Sequence, residues 1–362
     1  MSIFDLHNKF PQQFDCKIND CLNSNIEDTG TSIVDASPEV LQLLQSNSRD
    51  WYKKLAIQIN NKENITSWRK LCQNRIITLK NALITKDGII INPQGIWKMG
   101  GCVNNEQIIP DKALRYYSQI VKTQPCIKKV VSIAARWGDG VWHFPTEALV
   151  ALKLISNFND THLHISQKSK LCLDWIKLIN IDIPHDKILD GTVYTEELLL
   201  PEMGMCGAPY YNQVLWLKEK VLFSIPMNPS QNLFILMKRN FKRQVMNHEI
   251  IENLCKNFCN KNNLQFYLHD DLSLPSLKEQ MTIFNKAKVI IGPHGAGAVN
   301  LIAAKNKTCF IEFINKEDIN VCYMRLSNLL NIEYFGITYD LHEGVNITLD
   351  LIPTLNKLIS FI

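Results

Sequence analysis

The feature that most constrains the fold is the stretch VIIGPHGAGAVN at residues 289 to 300. An apolar run is cut at Gly292 and is followed by a turn and then by small apolar residues, which predicts a buried strand, a tight turn and a helix. Gly295 and Gly297 let the backbone approach a ligand, and free N–H groups at a helix start favour a phosphate. With His294 on the turn, the stretch predicts a nucleotide-type ligand, although such turns are also common as purely structural turns.

Composition limits the class of protein. The 362 residues are 46% hydrophobic and 20% charged, which is typical of a globular chain with two domains of about 150 residues each. A formal charge of +4 without a long Lys/Arg block argues against nucleic-acid binding. The eleven cysteines are scattered without zinc-site spacing, which is typical of a reducing compartment. No apolar run has the length of a signal peptide core or of a membrane span, so the sequence predicts a cytoplasmic location.

Apolar and amphipathic segments alternate regularly from about residue 128, which predicts an α/β fold with parallel sheets. We expect two Rossmann-like domains with a cleft between them, and residues 1–80 as an extension that packs on the body. The expected strands are 81–84, 88–91, 129–134, 162–165, 192–199, 232–237, 264–268, 288–291, 308–313 and 334–337. The expected helices are 141–155, 169–179, 210–221, 247–260, 276–287, 298–304 and 319–330, with another from residue 353.

Polar residues follow the first strand of this alternation. His143 and Glu147 are four residues apart and share a helix face, with Asp139 in the preceding turn. A carboxylate or an imidazole there could take the proton of an attacking hydroxyl group. The alternative is structural: Asp139 caps the helix and His143 is a buried, hydrogen-bonded histidine.

Basic residues follow the strand at 232–237. Arg239 and Arg243 would place fixed positive charge beside the glycine turn, where a leaving diphosphate needs it, or they belong to a solvated surface loop. Glu312 ends a later strand, and its spacing from Gly292 resembles that of the acidic residue that holds a ribose in dinucleotide-binding folds. The chain has no Asp-x-Asp triplet, so no metal site is predicted.

These groups resemble glycosyltransferase family 61. The more specific match is C-terminal and consists of Arg239, Arg243 and Asn247, then Gly292 to Gly297 with Asn300, and Glu312. The N-terminal match is Trp142 to Phe144 with Glu147. Where the family has Asn three residues before the histidine, this chain has Gly140, and His248 here precedes Glu249.

The resemblance implies a GT-B fold, two Rossmann-like domains facing across a cleft, and inverting, metal-independent transfer from a UDP-sugar without a cofactor. It implies an acceptor-side domain at residues 81–225 and a nucleotide-sugar-binding domain at 226–362. The transferred sugar would be xylose or N-acetylglucosamine, and the acceptor a hydroxyl group of a glycan or glycoprotein. The implied bases are Asp139, His143 and Glu147. The implied UDP-binding residues are Arg239, Arg243, His294, Gly295, Ala296, Gly297 and Asn300, with Glu312 on the ribose.

Two other functions fit parts of the pattern. Gly140 in place of the expected Asn is compatible with an inactive, transferase-like module that only binds a glycan. Gly295 to Gly297 with Glu312 could mark a nicotinamide-dependent oxidoreductase, but that fingerprint usually opens its domain and here it follows several strands and helices.

Overall fold

The computed structural model describes residues 15–18, 34–93, 95–98, 117–227, 230–245, 247–317 and 319–339. The chain divides into two compact units, one of Met1–Glu27 with Lys70–Lys220 and one of Asp28–Arg69 with Val221–Ile362. Both units are α/β, as predicted. Within the described ranges, no helix is long and apolar enough to cross a membrane. The helix expected from residue 353 lies outside these ranges.

The first unit contains a mixed sheet, with strands numbered along the whole chain. Its order is β5-β4-β3-β9-β6-β7-β8, and β1 pairs with β3. Strands β9, β6, β7 and β8 lie side by side in this order and are parallel. Strands β1, β4 and β9 each pair with β3 and are antiparallel to it. The strands are β1 (Asp15–Ile18), β3 (Arg75–Ile84), β4 (Ile89–Asn92), β5 (Gly95–Lys98), β6 (Cys126–Ser132), β7 (His162–His164), β8 (Ile188–Leu189) and β9 (Val193–Pro201).

The helices of this unit differ from the prediction at one place. Regular α-helices cover Lys170–Leu178 and Tyr211–Ser224. A short 3-10 helix covers His185–Lys187. The α-helix predicted at 141–155 is wrong, because a π-helix at Phe144–Ala148 is followed by a 3-10 helix at Leu149–Leu154. Pro145 has no N–H to donate, and both the N–H and the hydroxyl group of Thr146 bond to the carbonyl of Trp142.

The second unit contains a parallel sheet of order β11-β10-β12-β13-β14-β2. Its strands are β2 (Val34–Ala36), β10 (Leu233–Lys238), β11 (Gln265–Asp270), β12 (Ala287–Pro293), β13 (Cys309–Asn315) and β14 (Glu333–Tyr339). Its α-helices are Pro38–Ser46, Asp50–Asn60, His248–Lys261, Leu277–Asn285 and Cys322–Leu329, and its 3-10 helices are Thr66–Trp68 and Ala296–Ala303. The predicted alternation is confirmed, with a 3-10 helix after the glycine turn.

Residues 34–69 lie with this second unit, whereas the sequence placed them in an extension. The physical reason is the pairing of β2 with β14, in which Val34 lies beside Tyr334 and Ala36 beside Gly336. The N–H of Ser37 also donates to the carbonyl of Gly336 at 2.8 Å. The N-terminal segment therefore completes one edge of the sheet.

The strand order positions a ligand site. The chain passes from β10 outward to β11 and then returns to β12 on the other side of β10. Ligands of open α/β sheets bind outside the carboxyl ends of the strands where the order reverses in this way. Arg239 directly follows β10 and His294 directly follows β12, so both residues lie at this crevice.

Candidate functional site

His143 and Glu147 form a hydrogen-bonded pair in the first unit. Nδ1 of His143 lies 2.9 Å from Oε2 of Glu147. His143 directly precedes the π-helix that contains Glu147, and its side chain is 28% exposed. The predicted proximity of these two side chains is therefore present, although the helix between them is not a regular α-helix.

The remaining oxygen of Glu147 is also engaged. Oε1 accepts the indole N–H of Trp142 at 3.0 Å and the backbone N–H of Gly207 at 2.7 Å. Because an ionised carboxylate only accepts hydrogen bonds, Nδ1 of His143 is the donor, and the lone pair of the neutral imidazole is on Nε2. No group in the described part of the chain bonds to Nε2. The arrangement is that of a base oriented by a carboxylate.

Asp139 does not join this pair. Its side chain is exposed and makes no hydrogen bond or ion pair with the residues that the structure describes. Gly140 lies closer to the imidazole: a Cβ atom there would be 3.4 Å from Cδ2 of His143 and 3.1 Å from the carbonyl oxygen of Trp137. The missing side chain at residue 140 thus leaves the ring edge next to Nε2 open.

A third side chain, Cys206, brings a possible metal ligand close to the pair. The ligand atoms of His143, Glu147 and Cys206 lie within 4.8 Å of one another. Cys206 is disulfide-bonded, however, whereas the sequence predicted reduced cysteines. Metals bind the thiolate and not a disulfide sulfur, so the group offers at most two ligands.

Two arginines converge on the glycine turn of the second unit. Nη1 of Arg239 and Nη1 of Arg243 both donate to the carbonyl oxygen of His294, at 3.1 and 3.3 Å. A Cβ atom at Gly295 would overlap the guanidinium of Arg239, so glycine makes this approach possible. Arg243 has a left-handed backbone with φ 58°, which is a strained conformation that is enriched at ligand sites. Two guanidiniums at one carbonyl form a site suited to an anion.

The glycine turn also carries backbone N–H groups without a partner among the described residues. Within the described chain, the amides of residues 295 to 297 have no hydrogen-bond acceptor, whereas Ala298 donates to the carbonyl of Gly295 at 2.9 Å. Gly297 is exposed, and an added Cβ atom would meet no atom within 4 Å. The free amides and the two arginines therefore supply hydrogen-bond donors and positive charge at one place.

A buried hydrogen-bond network holds the side chain of His294. Its Nδ1 lies 2.5 Å from Oε1 of Glu312, and the hydroxyl group of Tyr334 donates to Oε2 of Glu312 at 2.6 Å. The ring of Tyr323 lies 4.9 Å from that of His294. Burial, followed by the neighbouring Cys322 thiol and then the Glu312 carboxylate, raises the pKa of Tyr323 well above its usual range; burial and Glu312 do the same for Tyr334. Both phenols therefore stay protonated.

Two predicted ligand residues have protein partners instead. Glu312 has no exposed surface, and both of its oxygens accept hydrogen bonds from side chains. A ribose could reach it only after rearrangement. Asn300 is 2% exposed, and its Nδ2 donates to Oε1 of Gln280 at 3.1 Å. Asn300 therefore fastens the 3-10 helix to the helix Leu277–Asn285.

Sequence analysis missed the residues that hold the predicted ones. Trp142 and Gly207 fix Glu147, and Tyr334 fixes Glu312. A signal for Tyr334 was present, because it lies in a predicted strand that neighbours the strand of Glu312. No sequence signal joins Gly207 to Glu147, since the two are 60 residues apart.

Part of the chain is similar to known glycosyltransferases. Residues 141–311 match the model of the family described as Glycosyltransferase 61. The EGF domain-specific O-linked N-acetylglucosamine transferase of Drosophila melanogaster is 32% identical over 114 residues, which are 30% of this chain and 21% of that protein. The chain thus matches about a fifth of that relative's length.

Similarity to solved structures is weak. Two flavo di-iron protein variants from Thermotoga maritima each cover 86% of this chain and 70% of their own, with 9% and 10% identity and TM-scores of 0.27 and 0.26. Scores this low establish no shared fold. The family match, in contrast, shows that residues 141–311 are similar to glycosyltransferase family 61.

Proposed function

We propose that the chain is an inverting, metal-independent glycosyltransferase that moves a sugar from a UDP-sugar to a hydroxyl group of a glycan or glycoprotein. The proposal includes a GT-B arrangement, in which two Rossmann-like units face each other across a cleft. The observation that carries it is the His143–Glu147 pair with Nε2 of His143 open. The similarity of residues 141–311 to glycosyltransferase family 61 supports the class of reaction.

His143 acts as the general base in this proposal. Its Nε2 takes the proton of the acceptor hydroxyl group while that oxygen attacks the anomeric carbon of the donor sugar. The bond between the anomeric carbon and the diphosphate oxygen breaks on the opposite face, so the configuration inverts. Glu147 orients the ring and stabilises the imidazolium that forms, because its carboxylate stays 2.9 Å from Nδ1.

The diphosphate leaves from the crevice of the second unit. Arg239, Arg243 and the amides of residues 295 to 297 would bind its oxygens and stabilise the charge that develops on them. Glu312 contributes indirectly in this proposal, because its bond to His294 holds the turn that carries those amides. This indirect role of Glu312 replaces the contact with the ribose that the resemblance implied.

Metal independence and the identity of the sugar are further parts of the proposal. The donor set around His143 lacks a thiolate, and the sequence lacks an Asp-x-Asp triplet. Charge on the diphosphate is then balanced by guanidiniums and amides. Of the two candidate sugars, xylose and N-acetylglucosamine, the name of the insect relative favours N-acetylglucosamine, with a hydroxyl group of an EGF domain as acceptor.

Thermal stabilisation tests ligand class first, since a ligand that binds only the folded state raises Tm. We expect UDP and one UDP-sugar to raise Tm equally with and without EDTA, and GDP and NADH to have no effect. A shift that EDTA abolishes would contradict metal independence. No shift with any uridine nucleotide would contradict the donor class.

A transfer assay then tests the base. UDP release in the presence of a folded EGF domain should fall by about a hundredfold or more in His143→Ala, while UDP affinity is unchanged. His185→Ala, at an exposed residue, is the matched control. Equal rates in His143→Ala and wild type would overturn the assignment.

A further inference from the structure

Trp137 combines two unfavourable features. Its side chain is 56% exposed, and its backbone has φ 65°, in the left-handed region. This conformation costs about 1–2 kcal/mol for a residue with a Cβ atom, and an exposed indole gains little from burial. Neither feature helps the chain to fold, and backbone strain of this kind concentrates at binding sites.

The turn that presents Trp137 is held rigidly. The hydroxyl group of Ser166 accepts the N–H of Ala135 at 3.1 Å and donates to its carbonyl at 2.9 Å. The N–H of Gly138 donates to the same carbonyl at 2.8 Å, and that of Gly140 donates to the carbonyl of Trp137 at 2.8 Å. A Cβ atom at Gly138 would overlap the Ser166 hydroxyl group. The backbone that carries the indole is therefore held in place before any ligand arrives.

This turn leads directly into the catalytic pair. The guanidinium carbon of Arg136 lies 5.5 Å from the centre of the Trp137 ring system. Val141 and Met205 are 40% and 59% exposed, which adds apolar surface to this turn and to the turn whose Gly207 amide bonds to Glu147. The exposed ring is thus part of the segment that ends at His143.

We propose that the indole of Trp137 is a platform for one face of a sugar ring beside His143. One face of a pyranose consists of C–H groups, which pack on the negative face of an aromatic ring, while its hydroxyl groups point outward to polar partners. The guanidinium of Arg136 lies over the indole, and Asp139, two residues along the chain, is exposed. These two side chains would supply a donor and an acceptor for such hydroxyl groups. The inference deepens the proposed function and rests on it for the class of ligand.

The sugar ring has two possible sources, the acceptor and the donor. Saturation-transfer NMR with methyl β-N-acetylglucosaminide, methyl β-xyloside and diacetylchitobiose tests an acceptor sugar. The same measurement with UDP-N-acetylglucosamine and UDP-xylose, each compared with UDP, tests the donor sugar. We expect saturation on the C–H face of a sugar ring in one of these two sets.

Trp137→Gly is the informative variant, because glycine adopts the left-handed backbone without strain and the fold should be retained or stabilised. It should weaken sugar binding about tenfold and leave UDP affinity unchanged. Trp137→Phe keeps a ring and should recover most of the binding. Phe223→Ala removes an aromatic side chain that is 84% exposed and should change nothing.

The outcomes separate this inference from the proposed function. If UDP binds but no sugar ring receives saturation, or if Trp137→Gly binds sugars as wild type does, the platform is refuted while the transferase stands. If Trp137→Gly lowers only the affinity for a sugar-free EGF domain, the ring binds a peptide and the platform is again refuted. Failure of all UDP compounds to bind refutes the proposed function itself.

Discussion

Replacing Glu147 tests the geometry of the proposed base. In Glu147→Gln, the carbonyl oxygen can still accept the N–H groups of Trp142 and Gly207, at the present distances of 3.0 and 2.7 Å. The amide NH2 group then faces Nδ1 of His143. Because that nitrogen must now accept a hydrogen bond, its proton moves to Nε2, and the proposed base loses its lone pair.

The expected magnitudes differ sharply between two substitutions. Glu147→Gln should lower kcat about a hundredfold to ten-thousandfold, the usual contribution of a general base, and cost about 1 kcal/mol of stability. Glu147→Ala leaves three N–H donors without their acceptor at a position that is only 8% exposed. That variant should lose about 3–5 kcal/mol of stability.

Two measurements suffice: UDP release at saturating donor, and the urea midpoint of each variant. Donor affinity should be unchanged in Glu147→Gln, since the proposed diphosphate site is built from other residues. A Glu147→Gln protein with kcat near that of wild type would refute the base assignment. Equal destabilisation by Gln and Ala would refute the assigned hydrogen bonds.

Further predictions concern the glycine turn and a buried histidine. Gly295→Ala should displace the guanidinium of Arg239 and weaken UDP binding about tenfold by calorimetry, with Tm nearly unchanged. Phe223→Ala, which truncates a side chain that is 84% exposed, is its control, and an affinity of Gly295→Ala equal to that of the control would contradict the role of Arg239. Burial lowers the pKa of His164 from 6.5 to about 4, and a hydrogen bond to a backbone carbonyl opposes this shift in part. Above pH 6.5 the imidazole of His164 is neutral in both the folded and the unfolded protein. Between pH 6.5 and about 4 only the unfolded protein takes up a proton at this residue. Stability should therefore fall over that range by about 3 kcal/mol. His164→Gln should reduce the fall of the urea midpoint between pH 6.5 and 4, with the remainder due to His269, whose pKa burial also lowers to about 4; an unchanged slope would contradict the shift.

The second sheet was predictable because its central strands β10, β12 and β13 are buried on both faces and read as continuous apolar runs. The predicted strand at 232–237 is observed at Leu233–Lys238, and that at 308–313 at Cys309–Asn315. The helix predicted at 276–287 is observed at Leu277–Asn285, and a capping box of Ser276 and Glu279 opens it. In each case a local pattern is enough to determine the element.

Features that depend on distant partners could not be predicted. A carboxylate at a strand end is equally compatible with solvent and with a buried donor, and the partner of Glu312, Tyr334, is 22 residues away on the next strand. The π-helix before Leu149 has the same apolar spacing as an α-helix, and only its hydrogen bonds distinguish it. The disulfide bond of Cys206 was missed because pairing cannot be deduced from scattered cysteines.

The position of β2 at the edge of the second sheet has a consequence for biosynthesis. Val34 and Tyr334 are neighbours in space but about 300 residues apart in sequence, and the whole stretch Lys70–Lys220 of the first unit lies between them. Residues 70–220 can fold on the ribosome first, whereas β2 must wait with its edge unpaired until β14 has been synthesised. Expression of residues 221–339 alone would leave the matching edge of β14 open to association between copies.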